Sequence, residues 1–344
     1  MIRVFVALAA LLLAPVGASA ATPPPATASE AEINRLLSEI ANYAAPYQAA
    51  MSEAASLITL VSDGMDKAMK LANAGADRET VDRVMDEWEA QIRATTASLQ
   101  AHRDQLPPFP EATIERAVRY APSLRTRIAG FREVRTSGLK EIAAAITFSQ
   151  RMVATTRKAA YGDPEAARDL SVEMVIGFKL MLQAENAMLE TGISTGDPKH
   201  PQSALTRSVL AGNHGVEKYF DYVIAAATGG PNDRAGTAKA IRDSVAEARQ
   251  AAQDAVRLSA AMSAALRREP VPPSILTRME KILDSYRASS NVELTVAAAL
   301  EAVADQIEQG SDTPESLQTA MAPVDAAIDL RMKLQAERLA LMKP

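Results

Sequence analysis

Residues 163–198 read DPEAARDLSVEMVIGFKLMLQAENAMLETGISTGDP and carry the signals of one long helix. Asp163 is a typical helix cap, Pro164 suits the first helical position, and residues 196–198 form a Gly-Asp-Pro stop. Between these signals, apolar side chains recur at helical spacing on one face. This face carries Met174, Phe178, Met181 and Met188. The segment predicts a helix of about 30 residues, against a mean of about 11–12 in globular proteins.

The rest of the chain repeats this pattern, with proline, glycine and capping residues at wide intervals and almost no strand signals. Further helices are predicted at about 29–75 with a kink or split at Pro46, 77–106, 111–161 with a break near Pro122, 203–228, 236–268, 274–309 and 314–343. Long helices joined by short connections pack antiparallel. The sequence therefore predicts an all-α fold of long antiparallel helices, in one elongated or two consecutive helical bundles, with no β-sheet.

Residues 1–20 have the pattern of a secretory signal peptide. Arg3 supplies a positive charge, residues 4–13 are apolar, and residues 18–20 read Ala-Ser-Ala, a typical cleavage site. An apolar run of this length is too short to cross the hydrocarbon core as a helix. We therefore expect cleavage near Ala20 and an exported protein, periplasmic or extracellular.

The mature chain is expected to begin with a flexible Pro-rich tether at residues 21–29. A first helical bundle over 30–195 and a second over 199–344 would follow. No later segment has about 18 consecutive apolar residues, so no transmembrane span is expected in the mature chain.

Composition excludes several classes of function. The chain has no cysteine, which excludes disulfides, Cys-ligated metals and thiol catalysis. The formal net charge of −5 argues against nucleic acid as a partner. The sequence contains no G-x-S-x-G, H-E-x-x-H, P-loop or G-x-G-x-x-G motif. Enzymatic activity stays open, but these observations favour a protein that is not an enzyme.

Two blocks of opposite charge follow each other, an acidic one at 77–89 and a basic one at 112–140. The basic block offers a candidate patch for an anionic partner, such as a glycan, lipid headgroup or peptidoglycan. This patch consists of Arg116, Arg119, Arg125, Arg127, Arg132 and Arg135. The alternative is internal pairing across an antiparallel hairpin, in a register that places residue 82 opposite 133 and residue 89 opposite 126.

A polar cluster is predicted at Glu185, Asn186, Asn213 and His214. Glu185 continues the methionine-rich face of its helix, and a buried carboxylate needs a partner because an unpaired charge is costly to bury. In an antiparallel hairpin centred near 198–199, Glu185 and Asn186 would meet Asn213 and His214. The cluster is either a hydrogen-bonded layer of the core or part of a ligand site.

Residues 212–217 read GNHGVE, and this motif is similar to the short G-x-H-x-x-E pattern of the imelysin-like periplasmic proteins. The resemblance covers these six residues only. His214 and Glu217 are three positions apart on one helix face, and Asp221 follows four positions later. Such spacing can present an imidazole and two carboxylates to a divalent metal ion. The alternative is a solvated helix face, and no other cofactor is expected.

These features favour an exported helical-bundle protein that acts by binding, as an envelope adaptor, scaffold or ligand-binding module. Its expected partner is a protein of the cell envelope, and homo-oligomers stay open. The alternative is a metal- or small-ligand-binding bundle centred on Glu185, His214 and Glu217. A sensor resembling chemoreceptor ligand domains would need the signal peptide retained as an anchor. The remaining histidines, His102 at a helix end and His200 in a loop, suggest no site.

Overall fold

A computed structural model describes residues 30–120 and 125–342. Within these ranges the chain forms nine α-helices and no strand, so the predicted all-α fold is confirmed. The predicted signal peptide at 1–20, its cleavage near Ala20 and the tether at 21–29 lie outside the described residues.

The helices are α1 (Glu30–Asn73), α2 (Arg78–Asp104), α3 (Glu111–Tyr120), α4 (Arg125–Ala160), α5 (Pro164–Thr195), α6 (Pro201–Thr228), α7 (Arg234–Leu266), α8 (Pro273–Gln309) and α9 (Pro314–Met342). Their ends agree closely with those predicted from capping residues, glycine and proline. The Asp77 side chain accepts a hydrogen bond from the Thr80 N–H at 2.7 Å, which begins α2. Pro46 lies inside α1 and does not divide it.

The chain divides into two compact units, with the boundary between Met188 and Leu189. The first unit contains α1 to α4 and the larger part of α5, and the second contains the rest of α5 and α6 to α9. The boundary thus falls inside a helix, ahead of the loop at which the sequence pattern separates the two bundles.

In the first unit, helix pairs α1/α2 and α4/α5 are antiparallel. Trp88 of α2 donates from Nε1 to the carbonyl of Leu60 in α1 at 3.0 Å. On α4 and α5, the rings of Phe148 and Phe178 lie 5.8 Å apart, and Arg151 bonds to Glu173 at 3.2 Å. Because the residue numbers rise on α4 as they fall on α5, these two contacts fix one antiparallel register.

In the second unit, α8 packs against α6, α7 and α9. On its α7 side, Arg242 bonds to Asp305 at 2.7 Å and Arg249 bonds to Glu301. These pairs again have rising numbers on one helix and falling numbers on the other, as antiparallel packing requires. Connections are short, and Gly310 ends α8 in the left-handed conformation with φ of 71°.

The predicted register between the two charge blocks is wrong. Asp86 and Glu89 of α2 both bond to Arg157 at 2.8 Å, so residue 89 does not face 126. The prediction assumed a simple hairpin, whereas helix α3 lies between α2 and α4 along the chain. The chain therefore brings a later part of α4 beside α2.

Among the described residues, no helix combines the length and apolar character needed to cross a membrane.

Close packing of α1 on α2 generates a stability prediction. A Cβ atom at Gly64 would lie 2.1 Å from Cδ1 and Nε1 of Trp88, so Gly64→Ala should lower the free energy of unfolding by about 1–3 kcal/mol. Gly212 is the matched control, since the nearest atom to its Cβ would be Val296 Cγ1 at 4.0 Å. Gly212→Ala should instead stabilise α6 by about 0.5–1 kcal/mol.

Urea unfolding followed by circular dichroism measures both variants. Equal effects of the two substitutions would contradict the close approach of α1 and Trp88.

Candidate functional site

Helix α9 buries one continuous stripe whose chemistry changes halfway along. The stripe consists of Leu317, Met321, Val324, Ala327, Arg331, Gln335 and Arg338. Its members are three or four residues apart, as expected for one face of a helix packed in a seam. The first four are apolar and the last three are polar or charged, so the C-terminal half of α9 packs through groups that usually face water.

We call the polar half of this contact the polar seam. It consists of Ser285, Ser289 and Glu293 on α8 and Arg331, Gln335 and Arg338 on α9. All six side chains are buried. The seam lies wholly within the second unit.

A buried ion pair lies at one end of the polar seam. Arg331 donates from Nη2 to Oε2 of Glu293 at 2.7 Å. Burial raises the pKa of Glu293 more than Arg331 lowers it, so the pair pays a large desolvation cost. Neither Arg331 Nε nor Glu293 Oε1 has a hydrogen-bond partner among the described residues.

The guanidinium of Arg338 lies at the other end, with a side chain that is 3% exposed. It donates to Ser289 Oγ at 2.6 Å, to Ser285 Oγ at 3.2 Å and to Gln202 Oε1 of α6 at 3.3 Å. It also lies over the ring of Tyr286, 4.1 Å from the centroid. These acceptors are uncharged, and burial lowers the pKa of Arg338.

Gln335 lies between these two groups, one helical turn from each. Its side chain is 5% exposed, and within the described part of the chain neither Nε2 nor Oε1 has a hydrogen-bond partner. A buried polar group without a partner costs about 1–3 kcal/mol. The polar seam therefore offers buried donors and a surplus positive charge, which suit recognition of another group.

A second buried polar pair lies in the first unit. The register of α4 and α5 places Glu141 opposite Glu185, and their side chains are 4% and 0% exposed. Burial, and then the nearby Glu185 carboxylate, hold the pKa of Glu141 well above its usual range. The two carboxyl groups therefore cannot both ionise cheaply.

The structure places the predicted polar cluster in two different units. Glu185 and Asn186 are buried in the first unit, and Asn213 is buried and His214 half-buried in the second. The predicted pairing across this hairpin stays a prediction. Sequence reasoning missed Glu141, the carboxyl group that Glu185 faces within its own unit.

The predicted metal ligands lie on one stretch of α6. His214 and Glu217 are half-buried, and Asp221 is exposed. Among the described residues, no three histidine, aspartate or glutamate side chains form a group that could hold a metal ion. The divalent metal site stays a prediction.

The described arginines of the basic patch bond within the first unit. Arg116 bonds to Glu39 at 3.0 Å, Arg132 bonds to Glu111 at 2.5 Å, and Arg135 donates to the Pro107 carbonyl at 3.4 Å. The side chains of Arg119, Arg125 and Arg127 lie outside the described residues. An anionic partner for this patch stays a prediction.

Comparison of the chain with family models, with curated proteins and with solved structures finds no match. The polar seam must therefore be interpreted from its own chemistry.

The buried carboxyl pair generates a pH prediction. The raised pKa means that the folded state binds the Glu141 proton more tightly than the unfolded state, whose pKa is near 4.5. The free energy of unfolding should therefore fall as the pH rises from 4.5 toward the folded pKa. In the wild type this loss is about 1.4 kcal/mol for each pH unit over which Glu141 ionises only in the unfolded state. Glu141→Gln cannot ionise, so its free energy of unfolding should not show this loss.

The measurement is urea unfolding of the wild type and Glu141→Gln between acid and neutral pH. The exposed Glu87→Gln is the control and should differ from the wild type by less than about 0.5 kcal/mol throughout. A difference between Glu141→Gln and the wild type that does not grow with pH would contradict the buried pair.

The ion pair of the polar seam generates a second prediction. Arg331→Met leaves the Glu293 carboxylate buried without its partner and should cost about 3–5 kcal/mol at neutral pH. Adding Glu293→Leu should recover most of that loss, and the double variant should be as stable as the wild type or more stable.

Chemical denaturation of the single and double variants measures this coupling. The matched control is Arg249→Met with Glu301→Leu, a partly exposed pair of α7 and α8 that should change stability by about 1 kcal/mol or less. If Arg331→Met is as stable as the double variant, the Glu293 carboxylate is not buried away from water.

Proposed function

We propose that this protein is an exported helical-bundle protein that acts by binding, as an adaptor or scaffold of the cell envelope. The binding element we propose is the second unit, through conditional docking of α9 on α8. The export part of the proposal rests on the signal-peptide pattern of residues 1–20.

One observation carries the proposal, the change of the buried α9 stripe from apolar to charged after Ala327. An apolar seam would hold α9 more tightly, because a buried ion pair and the unpartnered amide of Gln335 cost free energy. Polar groups in a helical seam are best known for selecting the partner and the register. We infer that the C-terminal half of α9 is held selectively and weakly, so that it can leave α8.

The side chains that α8 exposes when α9 moves away indicate which groups the partner must carry. When α9 moves away, Ser285, Ser289 and Glu293 are exposed along one helix face, with Tyr286 beside them. A helix that replaces α9 needs a cation opposite Glu293 and donors opposite the two serines. The proposed partner is therefore an amphipathic helix of an envelope protein that carries arginine or lysine and amide residues at i, i+4 and i+7.

Local opening of the polar seam can be measured by thiol labelling, because the natural chain has no cysteine. Ser289→Cys places a single thiol in the polar seam, and Ser259→Cys places one in the buried face of α7. Both serines are buried, so without local opening both thiols would be equally protected. We expect Ser289→Cys to react with an alkylating reagent at least about tenfold faster in native buffer.

Slow and equal labelling of the two thiols would contradict conditional docking of α9. Hydrogen exchange of the unsubstituted protein provides the independent check, and amides of the C-terminal half of α9 should exchange before those of α7.

The partner is tested by quantitative crosslinking in the intact envelope. The double variant Arg331→Met with Glu293→Leu should hold α9 closed and reduce the yield of specific crosslinked proteins at least about tenfold. The control, Arg249→Met with Glu301→Leu, alters an ion pair outside the polar seam and should keep these crosslinks. The same crosslinked proteins at equal yield in both variants would overturn the proposal.

A further inference from the structure

The positive charge of Arg338 is buried in the second unit without a described acid to balance it. Its described acceptors are two serine oxygens, a backbone carbonyl, an amide oxygen and an aromatic ring. By contrast, Arg331 in the same seam bonds to a carboxylate. Buried charges in proteins are normally paired, so a counter-ion is expected next to Arg338.

We propose that a small monovalent anion binds in the polar seam between Arg338 and Gln335. The anion is either a halide or a small carboxylate. This site is separate from the docking proposal and stands whether or not α9 binds a partner helix.

When the unpartnered donors and acceptors of the seam are paired with each other, one donor is left over, and this donor can bind an anion. Arg331 Nε is a donor and Gln335 Oε1 an acceptor, and the two residues are one turn apart on α9. Side chains at i and i+4 on a helix are close enough to bond, so Arg331 Nε can pair within the seam with Gln335 Oε1 or with Glu293 Oε1, the other unpartnered acceptor. The donor that then remains on Gln335 is Nε2, on the side chain that precedes Arg338 by one turn.

Arg338 supplies the second donor. Its Nη1 atom carries two hydrogens and makes one described bond, to Gln202 Oε1. An anion that accepts from this Nη1 and from Gln335 Nε2 would satisfy both side chains and neutralise the charge. Charge-assisted bonds of this kind are about twice as strong as neutral ones.

The N-terminal end of α6 adds to the positive potential at this site. Helix α6 begins at Pro201, and Gln202 in its first turn contacts Arg338. The positive end of a helix dipole favours an anion nearby. Arg338 and the start of α6 therefore act on the anion with the same sign.

Charge and size define the class of ligand. The seam has one positive charge in surplus, because Glu293 already balances Arg331. This favours a monovalent anion over sulfate or phosphate. The seam side chains around it are buried and Gln202 is half-buried, so the anion must be small, such as chloride or formate.

The test uses the full mature chain in three sodium salts at equal ionic strength: chloride, formate and the bulky anion gluconate. An anion that binds only the folded state raises Tm in a saturable way, and a rise of about 2–5 °C over gluconate is expected at ten times Kd. A rise in chloride alone identifies a halide site, and a rise in formate alone identifies a carboxylate site.

Two variants separate this site from general salt effects. Gln335→Leu keeps the side-chain volume, removes the amide donor and should abolish the rise in Tm. Arg249→Met removes a partly exposed arginine of the same unit and should keep the rise. Line broadening of the chloride NMR signal by the wild-type protein, absent with Gln335→Leu, would show direct binding.

Equal Tm in all three salts would overturn the proposal, as would a rise that persists unchanged in Gln335→Leu. Neither result bears on conditional docking of α9, which is measured by the rate of thiol labelling.

Discussion

The second unit depends on the packing of one helix, α8, against all its neighbours. Helices α6, α7 and α9 all contact α8, so the register of α8 limits where each of the three can lie along the bundle. On the α7 side, partly exposed ion pairs such as Arg249 with Glu301 match this register. On the α9 side, the buried pair of Arg331 and Glu293 does so. A shift of α8 by one turn would break both sets of contacts.

The two units treat their buried ionisable groups differently. In the first unit, Glu141 faces Glu185, and at least one of these carboxyl groups is cheapest to bury when it is protonated. In the second unit, Arg338 stays charged and is surrounded by neutral acceptors and an aromatic ring. The first arrangement makes stability depend on pH, whereas the second makes it depend on which groups can approach the guanidinium.

The helices could be predicted because their signals are local. Asp77 begins α2 through its own side chain, and Gly229 and Gly310 end α6 and α8 in the left-handed conformation. Capping and backbone conformation involve only neighbouring residues, so the sequence alone reveals them. The same holds for the apolar stripe of α5, whose members Phe178 and Met181 are buried as expected.

The site could be predicted only in part, because it depends on distant residues. Glu185 was singled out by its methionine-rich face and is buried, but its neighbour Glu141 is set by the register of two helices. Arg331, Gln335 and Arg338 have the spacing of a buried stripe, yet residues of these types usually face solvent. Nothing local distinguishes a solvated stripe from one that is covered by α8.

The short connection between α8 and α9 has a kinetic consequence. Residues 310–313 join the two helices, so Glu293 and Arg331 are separated by only 38 positions along the chain. Contacts between near neighbours in sequence form quickly, because little loop entropy is lost in closing them. The α8–α9 hairpin can therefore pair in its final register early in folding, while the charged side chains are still hydrated. These side chains then lose their water later, as the rest of the unit packs around the hairpin.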